Sequence, residues 1–254
     1  MENQYIFERT EMKYVISVEQ KKELLARLRE QLIPDFYPHS DITSIYLDSD
    51  DFRLIRNANG SRNYKEKMRI RCYGEVSDDS PVFMELKKKY KGTTYKRRID
   101  LTYRQMRDYL LFDRKPDNSQ ITNEIDYLLT SCDLKPKVLI RYQRDSFQSK
   151  DDASLRITFD YQLRYSTTDM TLTNRQPEDI LLSDDKCIME IKSLAAMPLW
   201  LTAALKEMKI YPGSFSKYGT VYATKLAQGG KFTCHSYSRQ YIPNLTSPHT
   251  YYAH

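Results

Sequence analysis

Alternation of apolar and polar residues predicts most of the strands in this chain of 254 residues. Successive side chains of a strand point to opposite faces of a sheet, so an alternating run buries one face only. Eight segments alternate in this way: 4–16, 42–47, 61–73, 82–90, 94–101, 137–147, 153–165 and 187–193. Short turns such as Lys91-Gly92-Thr93 separate neighbouring runs, which together predict an antiparallel sheet of about eight strands.

Helices are predicted where apolar residues recur at helical spacing. Ser17 with Gln20 forms a capping box for a helix that should continue to Ile33, before Pro34. Thr102 starts another helix, and helical spacing recurs in DSDDFRLIRNA, NEIDYLLTSC, PLWLTAALKEM and KYGTVYATKLA. Residues 229–254 show no period and predict a mobile tail. We therefore predict one α+β domain over residues 1–228, with helices packed outside the sheet.

Composition removes several kinds of chemistry from consideration. The seven glycines form neither a dinucleotide fingerprint nor a phosphate-binding loop, so any phosphate would be bound by side chains. Three of the four histidines lie in the last twenty residues, and the four cysteines are far apart, which argues against a catalytic triad or a zinc site. The sequence contains neither a signal peptide nor an apolar segment of about twenty residues, so we expect a cytoplasmic location.

Positive charge is concentrated in one segment of the chain. The net charge is +6, and residues 61–100 alone hold twelve basic and six acidic residues. Basic residues share one face of a strand there, and apolar residues share the other; the two sets are Lys65, Lys67, Arg69 and Arg71, and Met68, Ile70 and Cys72. Similar stripes occur on at least six strands. One interpretation is a solvated outer face; a closed barrel with a charged lumen and helices outside explains both faces better.

Cations confined in a lumen repel one another unless an anion neutralises them, which favours a polyanionic ligand. Arginine donates two hydrogen bonds to phosphate oxygens and lysine supplies a mobile charge, so this mixture suits a chain of phosphoryl groups. Glu85 has lysines on its own face with which to pair. Glu11 and Glu190 remain as candidate ligands of a divalent ion, with a salt-bridge role as the alternative for each.

Eight short motifs in a fixed order carry a family resemblance. They are Arg9-x-Glu11-x-Lys13-Tyr14, YLDS at 46–49, KMRIR, MELKKK, YKRR, Arg141-Tyr142-x-Arg144, MEIKS at 189–193, and Ser216-Lys217-Tyr218. Over about residues 5–226 the chain resembles the VTC domain, the polyphosphate polymerase domain of the vacuolar transporter chaperone complex, within the CYTH-like triphosphate tunnel metalloenzymes. The resemblance implies an antiparallel tunnel, a divalent Mn or Mg ion, and transfer of the γ-phosphoryl group of ATP to polyphosphate.

The first strand departs from the wider superfamily, which usually has Glu-x-Glu-x-Lys there. Arg9 occupies the first of these positions, so metal binding would depend on Glu190, assisted by Glu11. The substitution fits the VTC branch better than the hydrolytic triphosphatases. Triphosphate hydrolysis and ATP cyclisation nevertheless remain alternatives, because the same cradle could orient the same substrate.

The resemblance also implies roles for individual residues. The residues placed around the β- and γ-phosphates are Arg69, Arg71, Lys87, Arg144 and Arg156. Those expected to bind the leaving diphosphate or to guide the acceptor chain are Lys13, Lys96, Arg98 and Lys217. Tyr142 and Ser216 are expected to donate hydrogen bonds to phosphate oxygens, and Lys192 is expected to bind substrate. By strand alternation Lys88 and Arg97 should lie on the opposite face.

Three partners are expected: ATP, inorganic polyphosphate and, if the LTAAL helix is exposed, a membrane protein. Two other functions stay open. One is a polyphosphate sensor without turnover. The other is a nucleic-acid-binding β module, which we disfavour because most tyrosines flank the basic stripes instead of alternating with them.

Overall fold

The computed structural model describes residues 10–227, except 62, 92, 174–176, 178 and 195. The strands within this range are β1 (Thr10–Ser17), β2 (Leu32–Asp48), β3 (Tyr64–Tyr73), β4 (Pro81–Tyr90), β5 (Thr93–Thr102), β6 (Lys135–Ser149), β7 (Arg156–Ser166), β8 (Asp179–Ile180) and β9 (Lys186–Ser193). The helices are α1 (Val18–Arg27), α2 (Arg53–Gly60), α3 (Tyr103–Phe112), α4 (Gln120–Ser131), α5 (Leu199–Glu207) and α6 (Lys217–Val221), followed by a π-helical turn (Tyr222–Leu226). No helix in the described part of the chain is long and apolar enough to cross a bilayer.

The strands hydrogen-bond in the order β1-β9-β7-β6-β2-β3-β4-β5, and β8 pairs with β7. Five of these pairs are antiparallel with a defined register: β1 with β9, β7 with β9, β2 with β3, β3 with β4, and β4 with β5. The predicted antiparallel α+β fold is therefore confirmed. Strands β1 and β5 lie at the two ends of this order, and a closed barrel would require them to pair with each other. Closure into a barrel therefore stays a prediction.

The described residues divide into two compact units, each with its own apolar core. The first unit comprises 10–41, 142–163 and 180–217; the second comprises 42–141, 164–179 and 218–227. The single domain predicted over 1–228 stays a prediction. The tail predicted from 229 onward lies outside the described residues.

In the first unit, helix α1 begins at the predicted capping box. The Ser17 side chain accepts a hydrogen bond from the Gln20 backbone N–H, and the Gln20 side chain accepts one from the Ser17 N–H. Leu24 packs in a cluster with Phe159 and Leu201, which belong to β7 and α5. The apolar face of the helix thus covers one side of the strands.

The predicted extension of this helix to Ile33 is wrong. The helix ends at Arg27, and β2 already begins at Leu32, ten residues before the strand predicted at 42–47. The ring of Pro34 disfavours a helical conformation in the preceding turn, because it would clash with the carbonyl four residues earlier. Leu32 is therefore buried as a strand residue in the same cluster as Leu28.

The second unit is built on the antiparallel strands β3, β4 and β5. Met68 lies opposite Leu86, Ile70 lies opposite Met84, and all four side chains are fully buried. They pack in one cluster with apolar residues of the two helices that follow, including Met106 of α3. One face of these strands is thereby committed to the core, as the alternation predicts.

Asp48 organises a buried polar cluster in the second unit. Its carboxylate accepts hydrogen bonds from the backbone N–H groups of Leu54 (2.8 Å) and Ile55 (3.0 Å) in the first turn of α2. It also accepts one from the Tyr218 hydroxyl at 2.9 Å, and the ring of Tyr218 stacks on Tyr46. The pKa of Tyr218 is raised, mainly because the side chain is buried and secondly because Asp48 is negatively charged. The YLDS motif and Tyr218, the last residue of another motif noted in the sequence, therefore meet at this carboxylate.

We expect Asp48→Ala to lower the free energy of unfolding by about 3 kcal/mol, because it leaves several buried donors without an acceptor. Urea denaturation of the purified protein measures this loss. Asp51→Ala removes an exposed carboxylate that pairs with Arg56 and is the matched control, with a much smaller expected effect. Equal losses in the two variants would contradict a central role for Asp48.

Candidate functional site

Two carboxylates and two lysines lie on one face of β1 and β9. In the register of this pair, Lys13 is opposite Glu190 and Glu11 is opposite Lys192. The Lys192 Nζ atom is 3.1 Å from Glu190 Oε1, and the Lys13 Nζ atom is 3.6 Å from Glu11 Oε1. The structure therefore brings together four residues that the sequence placed on two different strands.

Glu11 lies close enough to Glu190 to influence its charge. Burial disfavours the charge on Glu190, whose side chain is 12% exposed. Lys192, the interaction with Glu11 and the charges of Lys13 and Arg144 outweigh that penalty and hold the pKa of Glu190 well below its usual range. Glu190 is thus ionised in a strongly positive environment.

Paired carboxylates of this kind suit a divalent metal. Oxygen donors are the ligands that Mg²⁺ prefers, and Mg²⁺ usually takes one or two carboxylates together with phosphate oxygens and water. Among the described residues, no group of three or more His, Cys, Asp or Glu side chains forms a complete metal site. The pair formed by Glu11 and Glu190 therefore fits an ion that substrate phosphates help to bind.

Asp160 of β7 holds two cations in the first unit. Arg144 donates to both of its carboxylate oxygens at 2.6 and 2.9 Å, and Lys217 Nζ lies 2.5 Å from Oδ2. Lys217 also lies over the ring of Tyr142, 4.3 Å from its centroid. Burial would raise the pKa of Asp160, but Lys217 and Arg144 lower it, so the aspartate is charged. One negative charge is therefore shared between two buried cations.

Thr158 carries an unsatisfied hydroxyl beside these residues. It lies opposite Glu190 in the register of β7 and β9, is 5% exposed, and its Oγ1 atom is among the buried side-chain atoms without a hydrogen-bond partner. A buried hydroxyl without a partner costs free energy unless a ligand supplies one. Thr158 is thus available to donate to an oxygen atom bound near Glu190.

A second basic cluster surrounds Glu85 in the second unit. Arg69 approaches Glu85 Oε2 at 2.7 Å through both Nε and Nη2, and Lys96 Nζ lies 2.5 Å from Oε1. Arg71 donates to Ser44 Oγ at 3.2 Å. Burial of Glu85 opposes its charge, but Arg69, Arg71 and Lys96 lower the pKa of Glu85 to about 2.

Glu85 has partners on both neighbouring strands. Lysines on its own face were expected, and Lys96 of β5 is one of them; Arg69 of β3 is a further partner. Side chains directly opposite on neighbouring strands are about 5 Å apart at Cβ, closer than same-face residues two positions along one strand. Arg69 is directly opposite Glu85, whereas Lys96 is a diagonal neighbour that lies opposite Lys87.

The remaining predicted residues lie in more exposed places. Arg156 is opposite Lys192, is exposed, and pairs with Asp35. Arg98 pairs with Asp100 at 2.8 Å and packs on the ring of Phe83. Ser216 is half-buried next to Lys217.

Lys87 is exposed and lies opposite Lys96 and Lys67. Its neighbour Lys88 lies on the other face and pairs with Glu66 at 3.4 Å. Arg97 also lies on that face, where it pairs with Glu124 of α4 at 3.3 Å. The alternation predicted for Lys88 and Arg97 is therefore confirmed.

Two residues of the candidate site were missing from the sequence prediction. Asp160 and Thr158 alternate with apolar residues on β7 and share a face with Arg156, so their spacing could have indicated that they belong to the site. Their roles in the site depend on burial and on their cross-strand neighbours, which the spacing does not reveal.

A solved structure has a fold similar to that of this chain. The described sheet resembles the crystal structure of a Bacillus halodurans protein provisionally named an adenylate cyclase, with a TM-score of 0.51 and 15% sequence identity over 81% of this chain and 92% of that one. This likeness concerns the fold alone.

The chain belongs to the VTC domain family, whose family model matches residues 8–226. It is 28% identical over 145 residues to subunit 4 of the vacuolar transporter chaperone complex of Schizosaccharomyces pombe, covering 48% of this chain and 20% of that protein. It is 24% identical over 213 residues to the subunit of the same name from Trypanosoma cruzi, covering 66% of this chain and 26% of that protein. The chain thus spans about a quarter or less of the length of these relatives.

We expect the stabilising effect of Glu85 to depend on pH. Its pKa falls from 4.5 to about 2 on folding, so its charge stabilises the folded state above about pH 5 and ceases to do so as the pH falls toward 2. Glu85→Gln should therefore be less stable than wild type near neutral pH, and the difference should shrink as the pH falls.

Urea unfolding at several pH values between about 7 and about 3 measures this difference. Asp100→Asn, which changes a more exposed carboxylate on the same face, should show a small difference throughout. A gap between Glu85→Gln and wild type that stays constant with pH would mean that shape, and not charge, explains the effect.

Proposed function

We propose that this domain is a metal-dependent polyphosphate polymerase, which transfers the γ-phosphoryl group of ATP to a growing inorganic polyphosphate chain. The observation that carries the proposal is the carboxyl pair of Glu11 and Glu190, which lies among the charges of Lys13, Lys192 and Arg144. Such an arrangement suits phosphates bound together with a divalent ion. Membership of the VTC domain family supports the proposal, and a closed tunnel is part of it.

The proposed reaction needs charge stabilisation and alignment more than covalent help from the protein. The bond between the γ-phosphorus and its bridging oxygen breaks, ADP leaves, and a terminal oxygen of the acceptor chain bonds to the phosphorus. Arg144 and Lys217, fixed by Asp160, would bind the phosphoryl oxygens and offset the negative charge that develops on them. The Thr158 hydroxyl would donate to one of these oxygens.

Glu190 and Glu11 would hold a Mn or Mg ion, which supplies positive charge to the phosphate oxygens when it is bound. Lys13 and Lys192 lie close enough to these carboxylates to exchange partners when phosphate enters. The acceptor oxygen is already ionised at neutral pH, so the residues named here need not include a strong base.

Arg69, Arg71 and Lys96 are proposed to bind further phosphoryl groups. Glu85 fixes two of these cations and neutralises only part of their charge, so they remain attractive to an anion. Lys87 adds an exposed charge on the same face. The arginines provide planar, paired donors that match phosphate geometry.

A protein partner and a cytoplasmic location also belong to this proposal. The curated relatives are named as subunits of a complex. Leu201 and Leu205 of α5 are buried, which confirms this helix as a core element, whereas Leu199 at its start is 86% exposed. Its exposed beginning is the part of α5 that a partner could contact.

The two neighbouring lysines of β4 test the proposed substrate face. Lys87→Ala should reduce turnover of ATP into polymer by about a hundredfold, because it removes a charge that aligns the acceptor chain. Lys88→Ala is the matched control and should retain activity, since Lys88 lies on the opposite face with Glu66. Steady-state assays with labelled ATP measure both. Loss of activity only in Lys88→Ala would place the substrate on the face of Lys88, opposite to the face that we propose.

The metal-dependent step is tested with γ-labelled ATP, Mn or Mg, and a short polyphosphate primer, with the products resolved on a gel. Wild type should produce a ladder of long polymer. Glu190→Gln should need a metal concentration at least about tenfold higher than wild type for the same activity, because one carboxylate ligand is lost. Glu30→Gln, an exposed glutamate that pairs with Arg29, should behave as wild type.

The products distinguish the proposed polymerase from its alternatives. Free phosphate without polymer would indicate a triphosphatase, and cyclic nucleotide would indicate a cyclase. Tight polyphosphate binding without any conversion would indicate a sensor. Each of these three results would contradict the polymerase.

A further inference from the structure

Lysines oppose one another across three strands of the second unit. Lys65 of β3 lies opposite Lys89 of β4, Lys67 lies opposite Lys87, and Lys87 lies opposite Lys96 of β5. Like charges that are directly opposite in an antiparallel pair destabilise the sheet. Three such pairs occur in succession, so an anion that binds across them would relieve their repulsion.

These lysines share a face with the cluster around Glu85. Directly paired residues point to the same side of a sheet, and so do residues two positions apart on one strand. The basic residues of this face are Lys65, Lys67, Arg69, Arg71, Lys87, Lys89, Lys96 and Arg98, and its carboxylates are Glu85 and Asp100. The excess of positive charge on this face is therefore large however the individual side chains pair.

The opposite face of the same strands is different. Lys88 pairs with Glu66, and Arg97 pairs with Glu124, so these cations are matched one to one by carboxylates. The uneven charge is thus a property of one face and not of the whole three-stranded segment. Nonspecific enrichment in lysine would affect both faces alike.

On β3 and β4, exposure increases along this face from one end to the other. Arg71 is 7% exposed, Arg69 is half-buried, and Lys65 is exposed. On β4 the order is the same, from buried Glu85 to exposed Lys87 and Lys89. Arg69 and Arg71 therefore lie at the buried end of these two strands, and their lysines lie at the end that is exposed to solvent.

The dimensions indicate an extended ligand. Six residues separate Arg71 from Lys65, which is about 20 Å at roughly 3.3 Å per residue, and a cation recurs at every second residue. A compact anion would contact only one end of such a row. A linear, flexible polyanion can contact all of it, and lysine, as a mobile point charge, tolerates a chain that slides.

We propose that Lys65, Lys67, Lys87 and Lys89 form a lysine track that binds the part of a polyphosphate chain lying beyond the phosphoryl groups held by Arg69 and Arg71. This inference rests on the proposed function and adds that the site selects long chains over triphosphate. The track makes binding depend on chain length, because each additional stretch of chain meets another pair of lysines.

The test compares Lys65→Gln/Lys89→Gln with wild type, using calorimetric titration with long-chain polyphosphate and with inorganic triphosphate. Long-chain affinity should fall at least about tenfold, and triphosphate affinity should stay within about twofold. The slope of log affinity against log salt should decrease by about 1.4, at roughly 0.7 for each lost phosphate contact of a flexible polyanion. Lys22→Gln/Lys206→Gln removes the same charge from exposed positions on α1 and α5 and should leave all three quantities unchanged.

Removal of opposed lysines should not damage the fold. The thermal midpoint of Lys65→Gln/Lys89→Gln at low salt should equal or exceed that of wild type without ligand, since repulsion is reduced. Added long-chain polyphosphate should raise the midpoint of wild type more than that of the variant. A lower midpoint in the variant without ligand would contradict the opposed-charge argument.

Failure of the track and failure of the proposed function give different results. Unchanged long-chain binding in Lys65→Gln/Lys89→Gln, with polymerase activity intact in wild type, would overturn the track alone. Wild type that binds neither triphosphate nor polyphosphate would overturn both. Tighter binding of single-stranded RNA than of polyphosphate, lost in the same variant, would assign the track to nucleic acid and overturn the inference.

Discussion

Strand alternation is the constraint on which this structure depends. Each of β3, β4 and β5 commits one face to an apolar core, so the charged residues between the core positions must share the other face. The register then decides which charges meet: a shift of one residue would exchange the faces and bury lysine in place of Met68 or Leu86. Core packing and the basic clusters are therefore two results of one geometric rule.

A small number of carboxylates makes the dense positive charge compatible with folding. Asp160 holds Arg144 and Lys217, Glu85 holds Arg69 and Lys96, and Glu190 lies with Lys192. Each carboxylate has an adjacent cation that keeps it ionised, yet most of them serve more than one cation. The resulting clusters are ordered before any ligand binds and keep a net attraction for anions, which is the preorganisation that charge stabilisation requires.

Membership of the VTC domain family sets the context for these clusters, and the residues themselves narrow the chemistry. Glu11 and Glu190 offer oxygen donors for a divalent ion, and Thr158 offers a buried donor without a partner. Arg69 and Arg71 lie at the buried end of strands β3 and β4, and lysines lie at their exposed end. These features favour a ligand with several phosphoryl groups, whose inner part is held firmly and whose outer part remains mobile.

The sequence by itself determined most of the strand pattern, the helix starts at Ser17 and Thr102, and most of the basic residues of the candidate site, because these depend on local periodicity. Only the tertiary structure decided the early end of α1, the partners of Glu85, and the importance of Asp160 and Thr158. Those outcomes depend on which residues lie opposite across strands and how deeply they are buried. Spacing within one strand carries no information about either, since both are set by segments distant in the chain.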